Sequence, residues 1–139
     1  MNSKQSVGQL GEDIACEYLR KQGCRIIERN FRKPWGEIDI IVKDKNGVLV
    51  FVEVKAIRQS GDQSPDILPE DNLTHSKLKK LQRTASLYVG YNQDVVDDQK
   101  GWRIDLVAIT LSEKLNATSD KDNLTELIKN CDIKYFENI

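Results

Sequence analysis

One stretch of the sequence, residues 37–55, constrains the fold more than any other. It reads EIDIIVKDKNGVLVFVEVK, with two runs of β-branched and aliphatic residues on either side of a Lys-Asn-Gly turn at 45–47. A three-residue loop that ends in glycine is typical of a β-hairpin, because glycine readily adopts the left-handed conformation needed there. The predicted hairpin pairs Ile41 with Phe51, Asp39 with Glu53, and Glu37 with Lys55.

Side chains alternate between the two faces of each predicted strand. One face is wholly apolar, so we expect it to be buried. It carries Ile38, Ile40, Val42, Val48, Val50, Val52 and Val54. The other face is apolar near the turn, where we expect a helix to cover it, and ionic at the far end. That face carries Ile41, Leu49 and Phe51, then Glu37, Asp39, Glu53 and Lys55.

The predicted pairing of Asp39 with Glu53 across the hairpin suggests a functional site. Like charges directly opposite each other destabilise a sheet, and apolar neighbours disfavour ionisation further. A shared proton, a cation or full solvent exposure would each offset the repulsion. Mg²⁺ fits well, since it takes one or two carboxylates and completes its shell with water and substrate phosphates. Lys55 could then stabilise developing negative charge, and Glu12 could complete the acidic group.

The same residues also allow a purely structural interpretation. Glu37 and Lys55 could form a simple cross-strand ion pair, with Asp39 and Glu53 at a solvated strand end. A slip of one residue in the register would also separate the two carboxylates.

The segments around the hairpin predict one mixed α/β domain. Three consecutive strands suggest an antiparallel meander, and a helix before the fourth strand allows a crossover to a parallel neighbour. Helices would flank the resulting central sheet. We predict helices over 5–21, 75–91 and 124–130, strands over 24–33, 102–111 and 132–139 besides the hairpin, and loops over 56–73, 91–101 and 112–123.

Composition excludes few classes of function. The 139 residues suffice for one domain with a core, and no apolar run approaches the roughly 20 residues of a membrane span. The N-terminus lacks a signal-peptide pattern, so we expect a cytoplasmic protein with no membrane partner. The net charge of −1 neither supports nor excludes nucleic-acid binding, which depends on local basic patches.

Asp39, followed after the hairpin by Glu53-Val54-Lys55, resembles the PD-(D/E)xK signature of the restriction-endonuclease-like fold. Further stretches extend the resemblance in order: GQLGEDIACEYLRKQG, RNFRKPWGEIDII, LVFVEVKAIR, KLKKLQRTASLYV and WRIDLVAI. Together they are similar to the YraN-like family of predicted endonucleases, which is related to archaeal Holliday-junction resolvases. The resemblance covers about residues 6–111 of a single domain spanning 1–139, and the tail 112–139 matches more loosely.

This resemblance implies a metal-dependent DNA endonuclease that uses Mg²⁺ or Mn²⁺. It implies that the substrate is branched or flapped DNA in preference to plain duplex. It also allows a homodimer, because a four-way junction presents two symmetric strands. Gly11 and Gly36 would be positions of close approach, while Arg103 and Asp105 match a family Arg-x-Asp. The implied catalytic residues are Glu12, Asp39, Glu53 and Lys55, and the implied metal ligands are Glu12, Asp39, Glu53 and the carbonyl of Val54.

Contacts to DNA phosphates require Lys and Arg near the carboxylate end of the hairpin. The candidates are Arg32, Lys33, Arg58 and Lys77, with Arg29, Lys79, Lys80 and Arg83 nearby in the sequence. The helical lysines equally fit a solvated face. Trp35 could stack on an unpaired base, wedge a junction, or simply pack against the protein.

Two other functions fit the same residues. One is a non-catalytic module on the nuclease fold that binds nucleic acid or a partner. The other is a small structural protein with no nucleic-acid role. The complete set of carboxylates and lysine favours the nuclease, because binding does not require it.

Overall fold

In the part of the chain that the structure describes, five strands form one sheet. The computed structural model describes residues 6–59, 68–112 and 124–139. In chain order the elements are α1 (Val7–Lys21), β1 (Arg25–Lys33), β2 (Gly36–Lys43), β3 (Leu49–Arg58), α2 (His75–Tyr91), β4 (Trp102–Leu111), α3 (Leu124–Lys129) and β5 (Asp132–Phe136), with short 3-10 helices at Pro69–Asn72 and Gln93–Val95.

The strands lie in the order β1-β2-β3-β4-β5. All neighbours are antiparallel except β3 and β4, which are parallel and joined by the crossover through α2. The predicted mixed α/β sheet with flanking helices is therefore confirmed. Strand β5 pairs with β4 at the edge of the sheet, so the loosely matched tail contributes to the same sheet as the core.

The hairpin has the predicted register. Ile41 lies opposite Phe51, and Gly47 adopts the left-handed conformation with φ of 84°. The Asp44 carboxylate closes the turn by accepting hydrogen bonds from the backbone N–H groups of Asn46 and Val48, each at 2.9 Å. Local turn chemistry therefore sets which residues of β2 and β3 face each other.

Two apolar clusters cover the faces of the sheet. On one face, Leu10, Ile14 and Leu19 of α1 pack against the predicted buried face of the hairpin. On the other, Leu81, Ala85 and Tyr88 of α2 cover its apolar end, as predicted. The hairpin residues in these two clusters are Ile40, Val42, Val50 and Val52 beneath α1, and Ile41, Leu49 and Phe51 beneath α2.

The prediction for Ile38 is wrong. Ile38 is buried with Phe31 in the cluster beneath α2 instead of the cluster beneath α1. Paired residues of β2 and β3 run from Lys43 opposite Leu49 to Ile40 opposite Val52. Beyond this pair, the Asp39 side chain accepts the hydrogen bond of the Val54 N–H, and regular backbone pairing ends. Side chains of β2 therefore no longer alternate strictly between the two faces of the sheet.

The predicted loops are shorter than expected where the structure describes them. Strand β3 continues to Arg58, and a 3-10 helix occupies Pro69–Asn72. Residues 60–67 of the predicted 56–73 loop, and residues 113–123 of the predicted 112–123 loop, lie outside the described residues. Within the part of the chain that is described, no helix is long and apolar enough to cross a membrane.

Candidate active site

Two glycines bring the elements of the site together. A Cβ on Gly11 would lie 2.6 Å from the Cβ of Ala56, so α1 approaches β3 this closely because residue 11 has no side chain. A Cβ on Gly36 would overlap the hydroxyl of Thr84, so the start of β2 lies directly against α2. Both glycines therefore occupy positions of close approach, as predicted.

Asp39 lies where the ladder between β2 and β3 ends. Its Oδ2 accepts a hydrogen bond from the backbone N–H of Val54 at 2.8 Å. A side chain thus provides the acceptor that a backbone carbonyl provides elsewhere in the hairpin. This contact holds the Asp39 carboxylate against β3, beside the residue that precedes Val54.

That residue, Glu53, carries a strongly perturbed carboxyl group. Burial, together with the charge of Asp39, raises the pKa of Glu53 to about 7 against the opposing effect of Lys55. The Glu53 side chain is 17% exposed, and the Nζ of Lys55 lies 3.4 Å from its Oε1. A carboxyl this buried does not fit the solvated strand end of the structural interpretation.

The other half of that interpretation is also wrong. Glu37 pairs with Arg32 at 2.9 Å instead of with Lys55, and both partners are largely exposed. Lys55 pairs with Glu53. The lysine therefore contacts the half-buried carboxylate of Glu53 and does not contact Glu37.

Glu12 reaches the same region from α1. Burial raises the pKa of its carboxyl, and the nearby charge of Asp39 adds to the shift. The side-chain amide of Asn30, oriented with its nitrogen towards Glu12, lies 2.9 Å and 3.2 Å from the two carboxylate oxygens. Glu12 is thus held between an amide donor and a second carboxylate.

Asn30 is a residue that sequence reasoning missed. It lies between Arg29 and Phe31, which pair with Ile40 and Ile38, and therefore across from Asp39. Its φ of 53° is left-handed, a conformation that asparagine tolerates better than β-branched residues do. The available signal was an asparagine in the middle of a predicted strand.

The donors gathered here suit a hard divalent cation, since they are carboxylate oxygens. Among the residues that the structure describes, no three His, Cys, Asp or Glu side chains form a group that could hold a metal ion. Asp39 and Glu53 could act as a pair of carboxylate ligands, as in Mg²⁺ sites that water and phosphate oxygens complete. The roles predicted for Glu12 and the Val54 carbonyl as ligands stay predictions.

The two carboxylates line a cleft of about 340 Å³ between the hairpin and α2. Lysines line the same cleft, and their positive charges suit the binding of a negatively charged phosphodiester. Lys33 and Lys77 were predicted as phosphate contacts, and Lys55 as the catalytic residue. The lysines that line the cleft are Lys33, Lys55, Lys77 and Lys80.

The sequence did not show whether Lys80 lies in the cleft or on a solvated face of α2. Lys80 follows Lys77 by three residues, and residues at that spacing share a helix face. Lys79 and Arg83 are not among the described residues that line the cleft. The i, i+3 spacing was therefore a signal that Lys77 and Lys80 share a face, although Arg83, three residues after Lys80, does not line the cleft.

Three of the predicted DNA contacts are not among the described residues that line this cleft. Arg32 lies next to it, because it pairs with Glu37, an exposed residue of the cleft wall. The guanidinium of Arg58 lies 3.5 Å from the carbonyl of Ser112, at the end of β3 beyond Lys55. Trp35 packs against Phe31 and Tyr91 in a neighbouring groove.

The Arg-x-Asp of β4 lies at the opposite end of the hairpin. Asp105 is fully buried and accepts hydrogen bonds from Arg103, from the Tyr135 hydroxyl and from the backbone N–H of Asn138. Arg103 also donates to Asp44 in the hairpin turn at 3.0 Å. These contacts give the pair a structural role, joining the turn, β4 and the C-terminal segment.

Comparisons with known proteins extend along most of the chain. A family model described as Uncharacterised protein family UPF0102 matches residues 11–109. A UPF0102 protein of Persephonella marina is 43% identical over 73% of this chain and 81% of its own length. A UPF0102 protein of Desulfosudis oleivorans is 38% identical over 94% of this chain and 92% of its own.

One solved structure is also similar, though distantly. The structure of Pyrococcus furiosus SfsA in complex with Ca²⁺ matches 93% of this chain with 19% sequence identity and a TM-score of 0.36. The chain spans 61% of the length of that protein. A similarity at this level carries no inference about the site.

Proposed function

Because the chain belongs to the uncharacterised protein family UPF0102, which is described without an activity, we propose its function from the cleft. The predicted resemblance to the YraN-like family is confirmed by the same matches. The proposed function is metal-dependent endonucleolytic hydrolysis of phosphodiester bonds in DNA, with Mg²⁺ or Mn²⁺. The observation that carries it is the half-buried Glu53 beside Asp39, in contact with Lys55, in a cleft lined by lysines.

Asp39 and Glu53 would hold the cation in this reaction. When bound, a divalent ion polarises a phosphoryl oxygen and lowers the pKa of a coordinated water. The hydrogen bond from the Val54 N–H keeps the Asp39 carboxylate in place before any ligand arrives. The positive charge of a cation would also favour the ionised form of Glu53, whose charge burial otherwise disfavours.

Lys55 would act on the reacting phosphate. Its ammonium group lies beside Glu53, where it can stabilise the negative charge that develops on the phosphoryl oxygens. Lys33, Lys77 and Lys80 would bind the flanking phosphates of the same strand. Glu12, whose carboxylate accepts hydrogen bonds from the Asn30 amide, would add a third carboxylate to the site from α1.

The test combines cleavage with metal binding. We expect Asp39→Asn to abolish cleavage of branched DNA and to remove the calorimetric signal of Mn²⁺ binding. Lys55→Ala should lower the cleavage rate by about 100-fold, the cost of losing one preorganised charge-stabilising group, while the Mn²⁺ signal persists. Asp132→Asn, at an exposed position on the edge strand β5, serves as the matched control and should behave like the wild type.

Unchanged cleavage in Asp39→Asn or Lys55→Ala would exclude this mechanism. DNA binding that persists in both variants and in the wild type, without cleavage or Mn²⁺ binding in any of them, would instead identify a binding module on the nuclease fold.

A further inference from the structure

A second groove, lined by aromatic side chains, lies beside the candidate active site. It has a volume of about 480 Å³ and includes Phe31, Trp35, Tyr88 and Tyr91. Phe31 and Tyr88 are buried and meet edge to face, with ring centroids 5.3 Å apart. Trp35 contacts Phe31 edge to face at 5.6 Å. These contacts fix the orientation of the Trp35 ring.

Tyr91, the last residue of α2, differs from these three rings because its side chain is open to solvent. It is 77% exposed, and its ring centroid lies 6.2 Å from that of Trp35 with the planes tilted by 33°. A large aromatic ring left this exposed beside others is a feature of binding surfaces. Base stacking on aromatic rings is tolerant of sequence, since every base has a π-face.

Lys33 connects this groove to the active-site cleft, because it lines both of them. The two neighbouring spaces differ in chemistry. The cleft presents four lysines and three carboxylates, Glu37, Asp39 and Glu53, and suits phosphate with a cation. The groove presents aromatic rings with a single acid, Glu28, and suits a base better than a phosphate.

We propose that the groove takes an unpaired base of the strand whose phosphodiester lies in the cleft. Tyr91 and Trp35 provide the stacking surface, and Lys33 contacts a phosphate between the two sites. The inference rests on the proposed nuclease function and narrows its substrate to DNA with unpaired nucleotides beside the cleavage position, as in a flap or an open junction. A paired base cannot reach such a groove without leaving the duplex.

The test measures binding with a chelator present, so that no cleavage occurs. A labelled duplex is compared with the same duplex carrying a short single-stranded flap. We expect the wild type to prefer the flapped DNA, and Tyr91→Ala to weaken that binding by about 10-fold without affecting the plain duplex. Tyr91→Phe keeps the ring and should bind like the wild type. Phe136→Ala removes an exposed ring at the other edge of the sheet and is the control.

Equal affinity of the wild type for both DNAs, or flap binding unaffected by Tyr91→Ala, would overturn the groove as a base site. A lower sedimentation coefficient for Tyr91→Ala without a change in DNA binding would overturn it too, and would make the groove an interface between copies. The cleavage test of Asp39→Asn is independent of these results. A failure of the nuclease function therefore remains distinguishable from a failure of the groove.

Discussion

Glu53 is the residue at which the needs of folding and of the proposed reaction conflict. Its pKa rises from 4.5 to about 7 because the folded chain buries it beside Asp39. The folded state therefore favours the protonated acid. The stability that this preference contributes is fully present below pH 4.5 and is lost as the pH rises through about 7. A divalent cation would reverse the preference, since it favours the ionised carboxylate.

This conflict predicts the pH dependence of stability in the metal-free protein. With a chelator present, we expect the free energy of unfolding to fall by up to roughly 3 kcal/mol from this group between acidic and neutral pH. Glu53→Gln should remove that part of the slope and stabilise the protein at about pH 8. Urea denaturation at several pH values measures it, with Glu126→Gln at an exposed position as control. A slope unchanged by Glu53→Gln would contradict the assignment.

At the scale of single elements, helix α1 contains two glycines with opposite environments. Gly8 has no described atom within 4 Å of an added Cβ, whereas Gly11 has the Cβ of Ala56 at 2.6 Å. Packing therefore explains the glycine at position 11 but not the one at position 8. Only Gly11 limits how closely α1 approaches β3. Comparing the two glycines separates helix propensity from packing.

Gly8→Ala and Gly11→Ala form a matched pair of variants. We expect Gly8→Ala to stabilise the protein by up to about 1 kcal/mol, since alanine is the better helix former. Gly11→Ala gains the same propensity but forces α1 away from β3, at a net cost of about 1–3 kcal/mol. Urea denaturation of both variants measures the difference. Similar effects at the two positions would show that the close contact with Ala56 does not limit packing.

Helix α2 contributes one face to the cleft and another to solvent. Lys77 and Lys80 line the cleft, whereas the neighbouring Lys79 does not. If the cleft binds phosphates, Lys80→Ala should weaken DNA binding and reduce the slope of log affinity against log salt by about 1. Lys79→Ala should leave that slope nearly unchanged. Equal losses from the two variants would indicate a diffuse basic surface instead of a defined cleft.

At the scale of the whole molecule, the polar cluster around Asp105 connects distant parts of the chain. It joins the hairpin turn through Asp44, the C-terminal strand through Tyr135, and the chain end through the backbone of Asn138. Burial and the Asp105 hydrogen bond raise the pKa of the Tyr135 hydroxyl, so it stays protonated and can donate. The cluster therefore supports the end of the sheet opposite the cleft.

Asp105→Asn tests this structural role. Replacing the buried carboxylate removes one of the two close partners of Arg103 and the acceptor of the Tyr135 hydroxyl, and we expect a loss of roughly 3 kcal/mol in the free energy of unfolding. Glu137→Gln is the matched control, since Glu137 also pairs with Arg103 but is 64% exposed and should contribute little. Metal binding by the fraction that remains folded should not change. Altered Mn²⁺ affinity in folded Asp105→Asn would mean that the two ends of the sheet are coupled.

Local patterns in the sequence were enough to predict the sheet and the acidic end of the hairpin. The alternation of side chains and the glycine turn determine the register of β2 and β3, because both depend on residues adjacent in the chain. Asp39, Glu53 and Lys55 follow from that register. The sequence also offered Glu12 on α1 as a further acid, and the resemblance to the family gave it the role of a metal ligand and gave the two glycines their close-approach roles.

The tertiary structure decided what depends on contacts between distant segments. The burial of Glu53, the switch of Ile38 to the other face and the contact of Asn30 with Glu12 all arise where β1, β2, β3 and α1 meet. The division of the α2 lysines between cleft and solvent, and the groove between Trp35 and Tyr91, depend on how α2 lies across the sheet. Periodicity determines which side chains share a face, but the packing of elements far apart in sequence determines what each face contacts.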